Sequence, residues 1–183
     1  SFTIEDADFV PVTVTQEADA KVVLLNGEVN ITFTVTNHSD ETITNVALTS
    51  YIKFKNNSSL NAKEYRYDEI RPGESQTFTR TVEAKNEFES TGILLYDNAL
   101  ARSNQVDLAP LTVKLQNVDM SFNLVASPKA SASYGGKISL IYTLENTGNV
   151  SITDIKLFDE RGDQIAVKGS TQAFTLKPGE SIN

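Results

Sequence analysis

The chain has 183 residues, carries a formal net charge of −8, and is 39% apolar with nine Phe and six Tyr. At about 100 to 150 residues per domain this length makes one large or two small domains, with apolar side chains enough for real cores. Residues 1–117 hold 10 basic against 17 acidic side chains and the remainder 6 against 7, so nucleic acid and anionic membrane surfaces are poor partners, and the lack of any cysteine excludes disulfides, thiolate metal sites and Cys nucleophiles together.

In chain order, the opening "SFTIEDADF" has neither the basic start nor the apolar core of a signal peptide, and no apolar stretch approaches the roughly 20 residues of a membrane helix. Residues 1–9 read as a linker or the end of a preceding module. A first strand is expected at 10–15. Ile31, Phe33 and Val35 then alternate with Thr32, Thr34 and Thr36, the period of a half-buried strand. After an Asn-containing turn, Val46 and Leu48 open another, and further strands are expected at 51–55, 77–82, 93–96 and 111–115. The stretch "SLNAKEYRYDEI" (59–70) fits either a short strand or one helical turn. No apolar stripe of helical period runs for ten residues or more. About seven short strands with turn signals every 8 to 12 residues is the pattern of an immunoglobulin-like sandwich.

The chain repeats itself, and a fixed period decides a whole fold. "TVTNHSDETITNV" (34–46) and "TLENTGNVSITDI" (143–155) align at an offset of 109, with Thr34/Thr143, Asn37/Asn146, Ile43/Ile152 and Thr44/Thr153 identical. The apolar phase follows: Ile31, Phe33 and Val35 fall on Leu140, Tyr142 and Leu144, and Val46 and Leu48 on Ile155 and Leu157. "IRPGES" (70–75) and "LKPGES" (176–181) align at 106, so one three-residue length change lies between, as a loop tolerates. Proline sets φ near −65° and glycine accepts the positive φ that follows, so the phrase predicts a type II turn. A phosphate-cradling loop would need more glycines and a helix behind it. The expected organisation is two tandem immunoglobulin-like β-sandwich domains, 10–117 and 118–183, the second incomplete.

"YTLENTGNVSITDIKLFDE" followed by "LKPGES" resembles the bacterial and archaeal surface repeats with an immunoglobulin-like fold, including the cell-adhesion-related domain in bacteria. "LLYDNALARSN" (94–104) is similar to the Asn-x-Ala segment before the last strand of such repeats, while His38-Ser39-Asp40 departs from their Thr-Gly-Asn. The resemblance implies a non-catalytic module of a bacterial cell-surface protein, a spacer or cell-adhesion element, extracellular or attached to the cell wall. The alternative is a carbohydrate-binding accessory module of a larger secreted enzyme. The implied partner is a protein or glycan on a surface, or neighbouring modules of the same chain, with any membrane contact made through parts outside this sequence. No cofactor is implied.

By the repeat's register Asn183 answers to Thr77, so the second copy lacks the counterpart of residues 78–115, about three strands. The expectation is that further polypeptide supplies them in the native protein; the other route is a partner chain adding strands by β-augmentation.

Few residues carry chemistry. His38, Ser39 and Asp40 have the letters of a catalytic triad, yet adjacent residues do not generally adopt its converging geometry, and they read as turn residues. One histidine and no cysteine make no zinc cluster. Asp6 and Asp8, with Asn117 and Asp119 at the equivalent junction, are the candidates for calcium, which takes flexible sets of carboxylate and carbonyl oxygens. Solvated acidic surface is the plainer reading of the run Glu5, Asp6, Asp8, Glu17 and Asp19. "FDERGDQ" (158–164) reads as a hairpin turn. Paired carboxylates for glycoside hydrolysis would need a deep cleft. Tyr65 and Tyr67 could present two rings as a sugar platform, with packing at a core edge the commoner fate. Asn30, Asn37, Asn56, Asn57 and Asn149 head Asn-x-Ser/Thr triplets, to which no glycosylation is attached.

Overall fold

The computed structural model describes residues 10–127, 134–136 and 139–183, and every regular element among them is a strand. The chain divides into two compact units, Ser1–Leu115 and Gln116–Asn183.

In the first unit three strands, β1 (Val12–Ala18), β3 (Glu28–Asn37) and β6 (Ser75–Glu83), pair antiparallel with β3 in the centre. The alternation along β3 is the cause of its place: Val29, Ile31, Phe33 and Val35 share one face and are all 0% exposed. A second sheet of five strands lies in the order β2 (Val22–Val23), β8 (Asn104–Leu115), β7 (Phe88–Asp97), β4 (Ile43–Phe54), β5 (Asn61–Ile70), with only β2 and β8 parallel. Phe88, Leu94, Leu108, Leu111 and Val113 of β7 and β8 join the β3 residues in one buried cluster. The two sheets thus form a β-sandwich, and each such side chain contributes about 1.5–3 kcal/mol by leaving water.

The stretch 59–70 resolves as strand rather than helix, because it is the edge strand β5. It pairs with β4 alone and leaves most of its residues exposed, so it lacks the apolar alternation by which a sequence announces a strand. Polar side chains also enter this sandwich, each with partners. Arg80 of β6, 6% exposed, reaches the other sheet: Nη1 donates to Ser50 O (2.8 Å) and Oγ (3.1 Å), and Nη2 to Asn61 O and Oδ1 (both 3.1 Å). Burial lowers the pKa of its guanidinium, which stays charged all the same. Gln16 of β1 likewise donates to Ser90 O (2.9 Å) and Ala109 O (2.6 Å) and accepts from Ser90 Oγ (2.7 Å). The three surface ion pairs among the described residues, such as Lys55 with the half-buried Glu87 at 3.5 Å, are largely exposed and contribute at most about 1 kcal/mol each.

The second unit holds β9 (Met120–Ser127), β10 (Ser139–Asn146), β11 (Ile152–Ile155), β12 (Leu157–Phe158), β13 (Gln164–Ile165), β14 (Phe174–Leu176) and β15 (Ser181–Ile182). Its pairings repeat the register of the first unit, except that β11–β14 shifts by one residue between Ile152 and Ile155. Val12↔Asn37 returns as Met120↔Asn146, Thr36↔Ser75 as Glu145↔Ser181, and Ile43↔Ile70 as Ile152↔Leu176. The three-residue difference falls where the long β4–β5 hairpin gives way to the short β12–β13 hairpin. Its turn is the predicted one in "FDERGDQ", closed by Asp159 Oδ1 accepting from Arg161 N and Asp163 N, both at 2.9 Å. Leu144, Ile155 and Leu176 make a small buried cluster. Among the described residues nothing in this unit corresponds to β7 or β8.

Candidate functional site

The two repeated phrases meet each other. Asn37 ends β3 with its side chain wholly buried: Nδ2 donates to Glu41 O (2.7 Å) and Ile70 O (3.0 Å), while Oδ1 accepts from Ser39 N (3.0 Å) and Ser39 Oγ (2.6 Å). Its backbone takes the Pro-Gly turn, through Gly73 N to Asn37 O (2.8 Å) and Asn37 N to Glu74 O (3.0 Å). Asn146 does the same with Val150 O (2.8 Å), Leu176 O (2.9 Å), Gly148 N (3.0 Å), Gly179 N (2.9 Å) and Glu180 O (3.0 Å). Gly73 and Gly179 have φ of +77° and +78°, with the 4→1 bonds Glu74 N to Arg71 O (3.0 Å) and Glu180 N to Lys177 O (2.9 Å), as the type II turn requires. The glutamate closes its own turn, Glu74 Oε2 accepting from Arg71 N (3.2 Å) and Glu180 Oε2 from Lys177 N (2.8 Å). The backbone of the phrase and one oxygen of its glutamate therefore serve a joint between strands.

The residues singled out for chemistry are employed in the same way. His38 Nε2 lies 2.9 Å from Thr13 Oγ1 and the Ser39 hydroxyl is turned to Asn37, so the triad letters do not converge on one another. Asn117 O accepts from Asn149 N (2.9 Å), and Asp119 O from Thr147 N and Gly148 N (both 3.1 Å). Asn117 N donates to Asn149 Oδ1 (2.6 Å), and Asp119 Oδ1 takes Met120 N (2.9 Å). This strand start crosses so near that a Cβ on Gly148 would stand 2.3 Å from Asn117 O, which is why glycine sits there. Asp6 and Asp8, the other calcium candidates, lie outside the described residues, as does Glu5. No group of three His, Cys, Asp or Glu side chains capable of holding a metal occurs among the described residues. Tyr65 and Tyr67 both turn towards Phe78, at 5.4 and 6.5 Å between ring centroids, and Tyr65 Oη donates to Thr79 O (3.2 Å). They close the sandwich edge. The Asn30 amide is engaged at both ends, by Asp19 Oδ2 (2.9 Å) and Thr81 Oγ1 (2.7 Å).

One surface of the second unit is of a different kind. Leu140, Tyr142 and Leu144 occupy on β10 the inward positions of Ile31, Phe33 and Val35, yet Leu140 is 46% exposed where Ile31 is 0%. Met120 and Phe122 on β9 stand in the register of Val12 and Val14, and Phe122 is 57% exposed against 9%. The Phe122 and Tyr142 rings stack at 5.5 Å. A groove of about 590 Å³ runs over Leu140, Tyr142, Leu157, Ile165 and Ile182. Positions that are core in the first unit are thus exposed side by side on this face.

Beside this face, a feature of β4 recurs on β11. Asn45 (φ +49°) sits in a bulge facing β7 and donates from Nδ2 to Asp97 Oδ2 (2.8 Å). Its counterpart Asp154 shares the positive φ (+57°), but the irregularity around it is in the pairing of β11 with β14, and among the described residues its carboxylate has no hydrogen-bond partner. The repeat alignment holds the signal for this pair, Asn45 against Asp154, but not its meaning, which lies in the partner strand.

Against known proteins, no family model matches the chain, and no curated protein sequence matches it. Among solved structures, a β-glucosidase from Erythrobacter marinus aligns with 54% of this chain at 13% identity and a TM-score of 0.32. The chain spans 15% of that enzyme's length. No helix among the described residues is long and apolar enough to cross a membrane.

Proposed function

We propose that the chain is a pair of tandem immunoglobulin-like modules from a bacterial cell-surface protein, acting without catalysis as a spacer or adhesive element. The observation that carries this reading is the joint built twice, with a buried asparagine and a self-closed Pro-Gly-Glu turn at the same register in each unit. Such duplication is what an array of mechanical modules requires, each copy fixing its own strands. The strand order of the first unit, three strands against five, supports the immunoglobulin-like assignment. Its polar side chains support the non-catalytic one: Asn37, Ser50, Ser90 and Arg80 are all consumed in holding strands together.

A glycan array probed with the purified chain tests the role. A spacer, or an adhesin for protein, leaves the array blank. Reproducible binding to one glycan class, lost in Tyr67→Ala, would instead establish the carbohydrate-binding alternative, since Tyr67 is the ring of the Tyr65–Tyr67 pair that stays 41% exposed.

A further inference from the structure

We propose that the first unit holds a binding site beside Arg80 for a single carboxylate carried on a short apolar body. The cation that ties β6 to the opposite sheet has one donor left over. Nη1 is occupied by Ser50 O and Oγ, and Nη2 by Asn61 O and Oδ1, while the Nε–H has no hydrogen-bond partner among the described residues. A guanidinium holds its five donors in one plane, with the Nε–H on the same edge as an N–H of Nη2, so the spare donor points to the side of Asn61. On that side lies a pocket of about 230 Å³, lined by Ile52, Phe54, Asn61, Arg80, Val82 and Lys85 among others. No fully buried side-chain nitrogen or oxygen among the described residues lacks a partner, so the unpartnered Nε–H reaches open space, and the pocket is where Arg80 meets it.

Charge, surface and size together define the ligand. Arg80 is 6% exposed and Lys85 is exposed on the same pocket, and neither forms an ion pair among the described residues. Glu83 lines the pocket too, but the alternation of β6 sets its side chain on the opposite face from Arg80 and Val82. One negative charge entering here therefore meets two cations, one of them in a poorly solvated setting where attraction is strong. Ile52 and Val82, both buried, and the half-buried Phe54 give the pocket an apolar wall, which an inorganic anion leaves unused. The volume falls below the roughly 300–1,000 Å³ of sites for drug-sized ligands, so it suits an acid of a few carbons. One carboxylate oxygen accepts from Arg80 Nε–H, the other faces the Lys85 ammonium, and the carbon chain lies on Ile52 and Val82. A free short-chain acid and the last residue of a peptide offer this same chemistry.

Nuclear magnetic resonance on the intact, isotope-labelled 183-residue chain reads the site through the Arg80 Nε–H signal and the methyl signals of Ile52 and Val82. Sodium butanoate is expected to shift all three saturably and to bind about ten-fold tighter than acetate, since two more methylenes leave water. Butanamide, which has the body without the charge, is expected to leave the Arg80 signal unmoved. Lys85→Gln changes an exposed side chain with no ion pair, keeps the fold, and is expected to weaken butanoate about three-fold. A tripeptide ending in valine, with its C-terminus free or amidated, separates the two sources: a free form that binds tighter than butanoate assigns the site to a polypeptide end, and one that binds no tighter assigns it to a free acid. The proposal is overturned if butanoate fails to move the Arg80 signal, if butanamide moves it as far, or if acetate and chloride match butanoate, which would reduce the site to bare charge screening. Unchanged affinity in Lys85→Gln would refute the placement of the carboxylate between the two cations.

Discussion

Phe33 and Tyr142 hold one register position in two copies of the same strand, yet Phe33 is sealed between two sheets and Tyr142 stands half-buried on an open face. The joints around Asn37 and Asn146, by contrast, agree in every bond but the one from the Ser39 hydroxyl, which Gly148 lacks. Turn chemistry is local: a buried asparagine and a Pro-Gly-Glu turn complete each other within about 40 residues of chain. Burial is less local, since the cluster that holds Phe33 also draws on Phe88, Leu94, Leu108 and Val113 of β7 and β8, more than 50 positions away. The second unit has all of the first kind of information and little of the second.

The sharpest break of the comparison is a pair of truncations. Phe33→Ala should cost the first unit about 3–5 kcal/mol, as for a large core side chain, whereas Tyr142→Ala should cost the second about 1 kcal/mol. Native-state hydrogen exchange reports each unit separately and checks both values. Equal losses would show that the two faces are equally covered in solution.

Next come the joints, where the units should behave alike. Asn37→Ala leaves the carbonyls of Glu41 and Ile70 without its amide, and Asn146→Ala those of Val150 and Leu176. Each substitution is expected to cost about 2–4 kcal/mol, because two acceptors of a buried amide lose their donor. Denaturant titration of the two variants side by side provides the measurement.

Smaller again is the effect at the turn glycines. Gly73→Ala and Gly179→Ala place a Cβ at φ of +77° and +78° with nothing within 4 Å to clash, so only backbone strain opposes them. About 1 kcal/mol is expected in each unit, and a shift in the thermal midpoint of one variant but not the other would break the equivalence of the turns.

The gentlest effect is on acid sensitivity. Asp97 is held below the ordinary carboxylate pKa by the Asn45 amide first and the Ser103 N–H next. Asp19 is lowered by the backbone N–H of Asn30 and then its side-chain amide. With folded values below the unfolded value of about 3.9, their contribution is complete above that pH and is lost as pH falls through the folded pKa. Asp97→Asn should therefore flatten the loss of first-unit stability below about pH 4, as urea midpoints measured down that range would reveal.

How much of this was legible in the sequence follows the same division. The β3 alternation, the duplicated register, the type II turn and the "FDERGDQ" hairpin are written in neighbouring residues, and each could be read from them. The strand at 59–70 could not, because its exposed edge position removes the alternation. Nor could the employment of Gln16, whose partners lie 74 and 93 positions away, or of Arg80, whose partners lie 30 and 19 away. That Asn37 and the Pro-Gly-Glu phrase touch was within reach: both recur in each copy, and two motifs duplicated together are candidates for one contact.

Arg80 has a consequence for how the first sandwich folds. Its guanidinium enters the interior with no carboxylate to meet it, and four oxygens from two residues of the opposite sheet stand where its N–H groups arrive. A slip of β6 by one residue would turn this side chain to the other surface and leave those oxygens dry. A slip by two would carry the cation to the row position now held by Phe78 or Val82, away from those four oxygens, at a cost of several kcal/mol. The competing alignments are thereby priced out during assembly, so a residue that adds little net stability works as the proofreader of strand pairing.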